Sequence, residues 1–556
     1  MNWRLIFSLL CACSLNGAPS PAPHGAAATV HPLATEAALQ VMRSGGNAVD
    51  AAIAAALTLG VVDSHNSGLG GGCFMLIRSP DGSLTAIDGR EQAPAAATRD
   101  MFLRDGKADA PLSQFGALAV AVPGELAALD HASRHFGRIP LARHLETAAT
   151  LAGNGFNVSR TLANRLKEHA GELRRFDASR AVLLKPDGSP WRAGDVLTQP
   201  DLAKSLRSLA RGGTGWFYDG PFATATAQWM KANSGLVTAA DFKSYQFKLR
   251  EPIRTTYRGC EIAGFPPPSS GGVHLGQILN ILEHFDLKKL RPGSPEFIHL
   301  VTEAMKLAFA DRAHWLGDPD FAPVPRGLVA KDYAAQLARK IDRQRASPVP
   351  THNIPPRATE DLFSKHTTHF STADAEGFWV ACTATINTSF GAKVIVPGTG
   401  LVLNNEMDDF ATQPGAPNFF GLLGAEANAV APGKRPLSSM SPTLVLRDGK
   451  PVLSVGAAGG PTIISQTLLA ILYSVDFGMT TEQALAAPRF HHQWQPDELR
   501  IERSVPAKVR AELEKRGHKI KVVDSLGAAQ AVSFDEKRRR FTGAADPRGE
   551  GKAGAF

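Results

Sequence analysis

One juncture constrains the fold of this chain more than any other: a polar, proline-interrupted stretch runs directly into a strand pair. Residues 346–366 carry Pro348, Pro350, Pro355 and Pro356 among polar side chains and read as an exposed connector. Residues 367–373 and 378–386 read as strands, separated by the turn Asp374-Ala375-Glu376-Gly377. If the hairpin closes with Ala373 opposite Phe378, residue 367 faces Ala384, one position from Thr385. Strand side chains alternate between faces, so one residue of slip or a bulge decides whether the hydroxyls of Thr367 and Thr385 meet.

The 556 residues exceed what one simple domain needs and can bury a large core. With 44% hydrophobic and 20% charged residues the chain is globular rather than disordered. Its formal charge of +8 is a mild excess and reads as a surface property, not as a nucleic-acid footprint. The basic run Lys537-Arg538-Arg539-Arg540 reads as a solvated turn between strand-like segments. Residues 1–18 read as a secretory signal whose apolar run is too short to span a membrane, which predicts a periplasmic or secreted protein. Leu10-Cys11-Ala12-Cys13 is similar to a lipoprotein cleavage box, but Cys at its middle position favours plain export over lipidation at Cys13. Cys73, Cys260 and Cys382 are scattered, with neither disulfide-framework nor metal-ligand spacing, and read as small buried apolar residues.

Residues 34–62 are alanine-rich and broken at Gly45-Gly46. Asn47 followed by Asp50 marks a helix start, so a buried core helix follows. Ser67-Gly68-Leu69-Gly70-Gly71-Gly72 opens a strand and lacks a following Lys-Ser/Thr, so it reads as a tight loop rather than a phosphate cradle. Residues 116–318 read as mostly helical; Leu300, Val301, Ala304, Leu307 and Ala308, for example, recur at helical spacing.

From residue 367 onward the chemistry-bearing residues gather: Thr367, Thr385, Asn387, Glu406, Asp409, Ser438, Ser439, Gly459 and Gly460. Together they form the inventory of a threonine nucleophile, a site for an amino-acid-like group and an oxyanion hole. A threonine hydroxyl needs a base, and the nearest is the threonine's own α-amine, free only if the 366–367 bond is cut. Taken alone, Thr367-Thr368 suits any strand start. His369 shares a strand face with Thr367 without having to reach its hydroxyl. His491-His492 are chain neighbours that point apart, with no accompanying carboxylate cluster, so no metal site is expected there. Asn404-Asn405-Glu406-Met407-Asp408-Asp409 lacks the ligand spacing and glycine of a calcium loop, and its acids suit a substrate ammonium.

Further motifs carry a family likeness: Asp88-Gly89-Arg90-Glu91, Phe265-Pro266-Pro267-Pro268-Ser269-Ser270-Gly271-Gly272, Leu316-Gly317-Asp318-Pro319, Pro488-Arg489-Phe490-His491-His492-Gln493-Trp494 and Asp546-Pro547-Arg548. With the segment from Thr367, they make a chain that resembles the γ-glutamyltransferases of the N-terminal-nucleophile hydrolase superfamily, above all the bacterial periplasmic enzymes, over nearly its whole length. The resemblance implies an α+β fold, a four-layer αββα sandwich made as one precursor. It would comprise a signal at 1–18, a large subunit at 19–366 and a small subunit at 367–556, the two subunits forming one domain.

By the same resemblance the precursor cleaves itself between His366 and Thr367. Thr367 Oγ1 then attacks the γ-glutamyl amide of glutathione with its own α-amine as base; an unperturbed α-amine titrates near 7.7–8.0. Thr385 would hydrogen-bond the nucleophile, and the Gly459 and Gly460 amides would hold the oxyanion. Arg90, Ser438 and Ser439 would bind the α-carboxylate, and Asn387, Glu406 and Asp409 the α-ammonium. Hydrolysis, or transfer to an amino acid or dipeptide, follows, with no cofactor and no metal. Residues 413–425 correspond to a lid that carries tyrosine in bacterial relatives and Phe420 here. Two other readings are a glutaryl or cephalosporin acylase of the same family, and a non-catalytic exported binding protein, against which Thr367 and Thr385 count.

Overall fold

The computed structural model describes residues 24–359 and 371–556. The signal, His366, Thr367 and His369 therefore lie outside the described residues. Two sheets are stacked face to face. The first has seven strands in the order Lys552–Ala555, Gly25–Thr29, Ser371–Asp374, Trp379–Thr385, Gly72–Arg78, Leu84–Gly89 and Lys248–Arg250. The second has six: Arg540–Ala545, Ala528–Asp535, Lys450–Ala458, Thr443–Arg447, Cys260–Gly264 and Ile253–Tyr257.

Period-two alternation sorts the first sheet's side chains between its faces. Cys73, Met75, Ile77, Val380 and Cys382 join a core under the helices Ala48–Val62, Glu125–Phe136, Leu141–Asn154 and Pro200–Tyr218. Phe74, Leu76, Trp379 and Ala381 join the opposite core, shared with the second sheet and with helices Gly271–Leu282, Pro295–Trp315 and Thr462–Val475. The result is helix, sheet, sheet, helix, the expected αββα sandwich. The rings of Phe74 and Phe265 stack at 5.0 Å. Ser454 Oγ, on the second sheet, meets Ser371 Oγ at 2.8 Å and donates to the Val380 carbonyl at 3.2 Å, pinning the two layers together.

The hairpin forms where expected, one residue out of the expected register. Ala373 pairs with Trp379 and Thr372 with Val380. Asp374 is the reason: its Oδ1 accepts from the amides of Glu376, Gly377 and Phe378 at 3.0–3.1 Å, which draws Phe378 into the turn. Its other oxygen accepts from Ala48 N–H at 2.8 Å, so the turn also caps the buried helix that Asn47 and Asp50 begin with a capping box. Gly70, Gly71 and Gly72 pack against the backbone of Val402, the backbone of Thr385 and the Glu91 side chain, too closely for any side chain. That is the structural role read for the loop.

Residues 116–318 are less uniformly helical than expected, because they supply the strands Lys248–Arg250, Ile253–Tyr257 and Cys260–Gly264. The described part of the connector leaves Ile354 exposed but is tethered: Trp315 Nε1 donates to the Asn353 carbonyl at 2.8 Å and Trp494 Nε1 to the Val349 carbonyl at 2.7 Å. All three described cysteines are buried, and none forms a disulfide.

Candidate active site

Strand ends and the loops behind them build the site. Trp379–Thr385 delivers Thr385 at its last position. Thr385 Oγ1 accepts from the Asn387 amide at 2.8 Å, which leaves its own proton for another acceptor. Asn387 holds a positive φ of 75°, uncommon for a residue other than glycine, and its side-chain Nδ2 donates to the Asn405 carbonyl at 2.9 Å. The single turn Glu406–Asp409 follows.

Strand Lys450–Ala458 ends at Gly459 and Gly460, with φ of 131° and 58°, conformations glycine tolerates best. Helix Thr462–Val475 starts just beyond, so the pair sits at the positive end of a helix dipole. Ser438 and Ser439 lie on a segment cradled by Pro268-Ser269-Ser270. Ser438 N–H donates to the Pro268 carbonyl at 2.7 Å, Ser270 N–H to the Ser438 carbonyl at 2.8 Å and Ser269 Oγ to the Met440 carbonyl at 2.5 Å. A Cβ on Gly271 would come 2.5 Å from that same carbonyl, which explains the glycine.

Charge is concentrated behind these loops. Arg90 is fully buried; its Nη2 donates to Asp409 at 2.7 Å, its Nε to the Pro436 carbonyl at 3.1 Å and its Nη1 closely to Glu406, with Glu91 at 3.5 Å. Three carboxyls thus surround one guanidinium. Burial pushes all three up, Arg90 only partly offsetting it: Glu91 to about 7, Glu406 well above the usual carboxylate range and Asp409 upward. Beside them, burial works to raise Asp88, but Arg435 and Arg250 outweigh it and hold the carboxyl below its usual range. Arg250 Nη2 stands 2.7 Å from Asp88, and Arg435 N–H donates to Asp318 at 2.9 Å. The motifs at 88–91 and 316–319, with Arg250 and Arg435, therefore form one buried ion network that stiffens the floor of the site.

One cavity of about 370 Å³ collects Thr385, Asn387, Glu406, Asp409, Phe420, Ser438, Ser439, Gly459 and Gly460. Arg90 does not line it and lies behind Glu406 and Asp409. Sequence reading missed Glu91 and Arg312. Arg312, on helix Pro295–Trp315, is buried and donates to Ser270 Oγ and Ser439 Oγ, each at 3.2 Å. No carboxylate among the described residues lies within ion-pair distance of it, and burial pushes it down to about 10 against a partial offset from Asp409. Its helical neighbours Ala308 and Phe309 signal core packing, which conceals the cation. His491 bonds Ser465 Oγ at 3.1 Å, while His492 faces Asp497 at 3.3 Å. His299, Glu303 and His518 converge outside the cavity, where the two rings bond each other at 2.7 Å and Glu303 pairs with Lys306 at 2.8 Å.

The gamma-glutamyltranspeptidase family profile matches residues 34–556. The chain belongs to that family. It is 44% identical over 533 residues to the glutathione hydrolase proenzyme of Escherichia coli (strain K12), covering 95% of this chain and 91% of that protein. It is also 39% identical to an acylase proenzyme of Pseudomonas sp. (strain SE83), covering 96% and 94%. Among solved structures, a cephalosporin acylase from Bacillus halodurans superposes with a TM-score of 0.86 at 27% identity, covering 99% of both chains. The gamma-glutamyltranspeptidase of Helicobacter pylori gives 0.57 at 38% identity, covering 58% of this chain and 92% of that one.

Phe420 closes one side of the cavity. Its ring lies on Gly460, where an added Cβ would come 2.5 Å from it. Its amide donates to Asn418 Oδ1 at 3.1 Å, and Gln493 Nε2 donates to its carbonyl at 3.2 Å. Asn418 also reaches Asp409 at 3.5 Å, so the loop is tied to the acid cluster it covers.

Proposed function

We propose that this family member is a γ-glutamyltransferase with glutathione hydrolase activity, exported to the periplasm or beyond, that matures by cleavage before Thr367. The observation that carries this reading is the acid excess around Arg90. A cluster of three buried carboxyls around one guanidinium has room for a second cation, and a γ-glutamyl α-ammonium supplies it. Asn387, Glu406 and Asp409 take that ammonium. As it draws Glu406 and Asp409 away, Arg90 is released to join Ser438 and Ser439 on the α-carboxylate, with Arg312 polarising Ser439 from behind. Thr372 pairs with Val380, and Thr385 stands at the end of the same strand. In the cleaved enzyme we place Thr367 Oγ1 there, within reach of the Gly459 and Gly460 amides, the acyl-threonine passing to water, an amino acid or a dipeptide. No helix among the described residues is long and apolar enough to cross a membrane.

The test is turnover of γ-glutamyl-p-nitroanilide against glutaryl-p-nitroanilide. The γ-glutamyl compound should be preferred at least tenfold, the worth of one charge-assisted hydrogen bond. A glutaryl preference would favour the acylase reading, which the acylase relatives motivate.

Glu91 adds a pH signature. Its carboxyl sits at about 7, and a neighbouring ammonium favours the ionised form. Binding must therefore displace protons from the raised carboxyls, Glu406 as well as Glu91, so KM for γ-glutamyl-p-nitroanilide should rise as the pH falls through about 7, by up to about tenfold per pH unit. KM for the glutaryl compound should show no such rise. Parallel curves for the two compounds would remove the acid cluster from ammonium recognition.

Phe420 bears on partitioning. A phenyl ring covers the site but donates no hydrogen bond, and a neutral hydrogen bond contributes about 0.5–1.5 kcal/mol. The closed lid is then less populated and water reaches the acyl-enzyme more readily. Phe420→Tyr should shift products from hydrolysis toward transfer to glycylglycine by about threefold. An unchanged ratio in a folded variant would mean that the ring alone gates the site.

A further inference from the structure

The cavity extends past the groups that a γ-glutamyl moiety uses. It is also lined by Phe115, by Arg165, His169 and Glu172 of helix Arg160–Leu173, and by Lys393. Arg165 is satisfied by Glu168 at 2.8 Å and is well exposed. Lys393 is neither. It is only 3% exposed, and among the described residues its Nζ donates to a single acceptor, the Gly391 carbonyl, at 3.1 Å. Its ammonium also faces the Phe115 ring at 5.3 Å. The nearest carboxylate, Glu172, stands 3.9 Å away and is already engaged by His169 Nδ1 at 2.7 Å. An ammonium has three N–H donors, so this one is under-used in a place where hydration is restricted. Burial pushes Lys393 down to about 8, Glu172 only partly offsetting it, which leaves it mostly charged at neutral pH. A buried cation without a full partner is costly unless a ligand brings the anion.

We propose that Lys393 binds the free carboxylate of the peptide on the far side of the scissile bond: the glycine carboxylate of glutathione, and the carboxylate of an accepting amino acid or dipeptide. This rests on the γ-glutamyl reading and deepens it. With the glutamyl group held by Ser438, Ser439, Glu406 and Asp409, the two residues beyond the scissile carbonyl extend about 7 Å. They carry an anion at their end, and Lys393 lines the same cavity as those glutamyl-binding groups. Lys393 thus acts as a specificity residue for the leaving and accepting peptide and takes no part in the bond exchange at Thr367.

The experiment compares kcat/KM for glutathione, its glycyl monoethyl ester and γ-glutamyl-p-nitroanilide, in wild type, Lys393→Met and Lys393→Arg. The wild type should prefer glutathione to the ester about tenfold. Lys393→Met should abolish that preference and lower the glutathione-to-anilide ratio by a similar factor, chiefly through KM, and Lys393→Arg should restore part of both. Wild-type turnover of the anilide with no preference for glutathione over its ester overturns the assignment of Lys393 alone. A preference that survives in Lys393→Met, or an equal loss on all three substrates, overturns it as well. Failure of the wild type on every γ-glutamyl compound overturns the parent reading and this one with it.

Discussion

Thr367→Ala should remain a single chain of full length and release no measurable p-nitroaniline from γ-glutamyl-p-nitroanilide. Two losses should coincide in this variant, because in the function proposed here one hydroxyl serves both reactions: attack on the His366 carbonyl in the precursor and attack on the γ-glutamyl carbonyl afterwards. In hydrolases whose nucleophile and base act as a unit, removing either costs on the order of 10⁶ in kcat. Here the cost is compounded, since the uncut chain also lacks the α-amine that acts as base. The wild type should resolve on a denaturing gel into two pieces, the smaller spanning residues 367–556 and beginning Thr-Thr-His-Phe-Ser on Edman sequencing. Thr367→Ser, which keeps a hydroxyl, should still cleave, more slowly. A smaller piece with any other first residue would remove Thr367 from both roles.

Local signals in the chain were legible where a single residue type enforces one geometry. Asn47 with Asp50 began a helix, Asp374 to Gly377 closed a hairpin, and the glycines at 70–72 marked a close backbone approach. The register at Ala373 was not legible, because it depends on three amides turning inward to one Asp374 oxygen, a tertiary detail that strand periodicity does not encode. Strands Ile253–Tyr257 and Cys260–Gly264 were hidden by their length and by the helical segments around them. Nine of the site residues named from sequence meet in one cavity because they stand at strand ends and loops. Arg90 was named as a carboxylate binder from the family resemblance, and its burial among Glu91, Glu406 and Asp409 is a consequence of packing that no local pattern reveals. Arg312 and Lys393 escaped notice for the same reason: a cation becomes informative only when its missing partner is visible.

Arg90→Met should be both unstable and nearly inactive, and the pH dependence of its stability should identify the cause. Methionine keeps the length of the side chain and removes the only cation that, among the described residues, is in direct contact with Glu406 and Asp409. Breaking a buried ion cluster by deleting one partner costs about 3–5 kcal/mol. The three carboxyls are already raised by burial, and losing Arg90 raises them further. A carboxyl whose folded pKa is raised confers stability that is complete below its unfolded value near 4 and lost as pH rises through the folded one. The deficit of Arg90→Met relative to wild type should therefore be smallest near pH 4–5, where the carboxyls are neutral, and largest above about pH 7. Thermal melts across that range measure it directly, and a pH-independent deficit would mean that the variant suffers from lost packing alone. Asp409→Asn added to Arg90→Met should recover part of the stability at pH 8 and none of the activity. For turnover, loss of two charge-assisted hydrogen bonds to a carboxylate predicts a fall in kcat/KM of at least about 10². Arg90→Lys separates charge from shape: an ammonium still neutralises the acids but cannot present a planar fork. It should melt close to wild type and yet bind γ-glutamyl-p-nitroanilide about tenfold more weakly. If Arg90→Lys matches wild type in both, Arg90 serves the acid cluster only, and the substrate carboxylate belongs to Ser438, Ser439 and the Arg312 cation behind them.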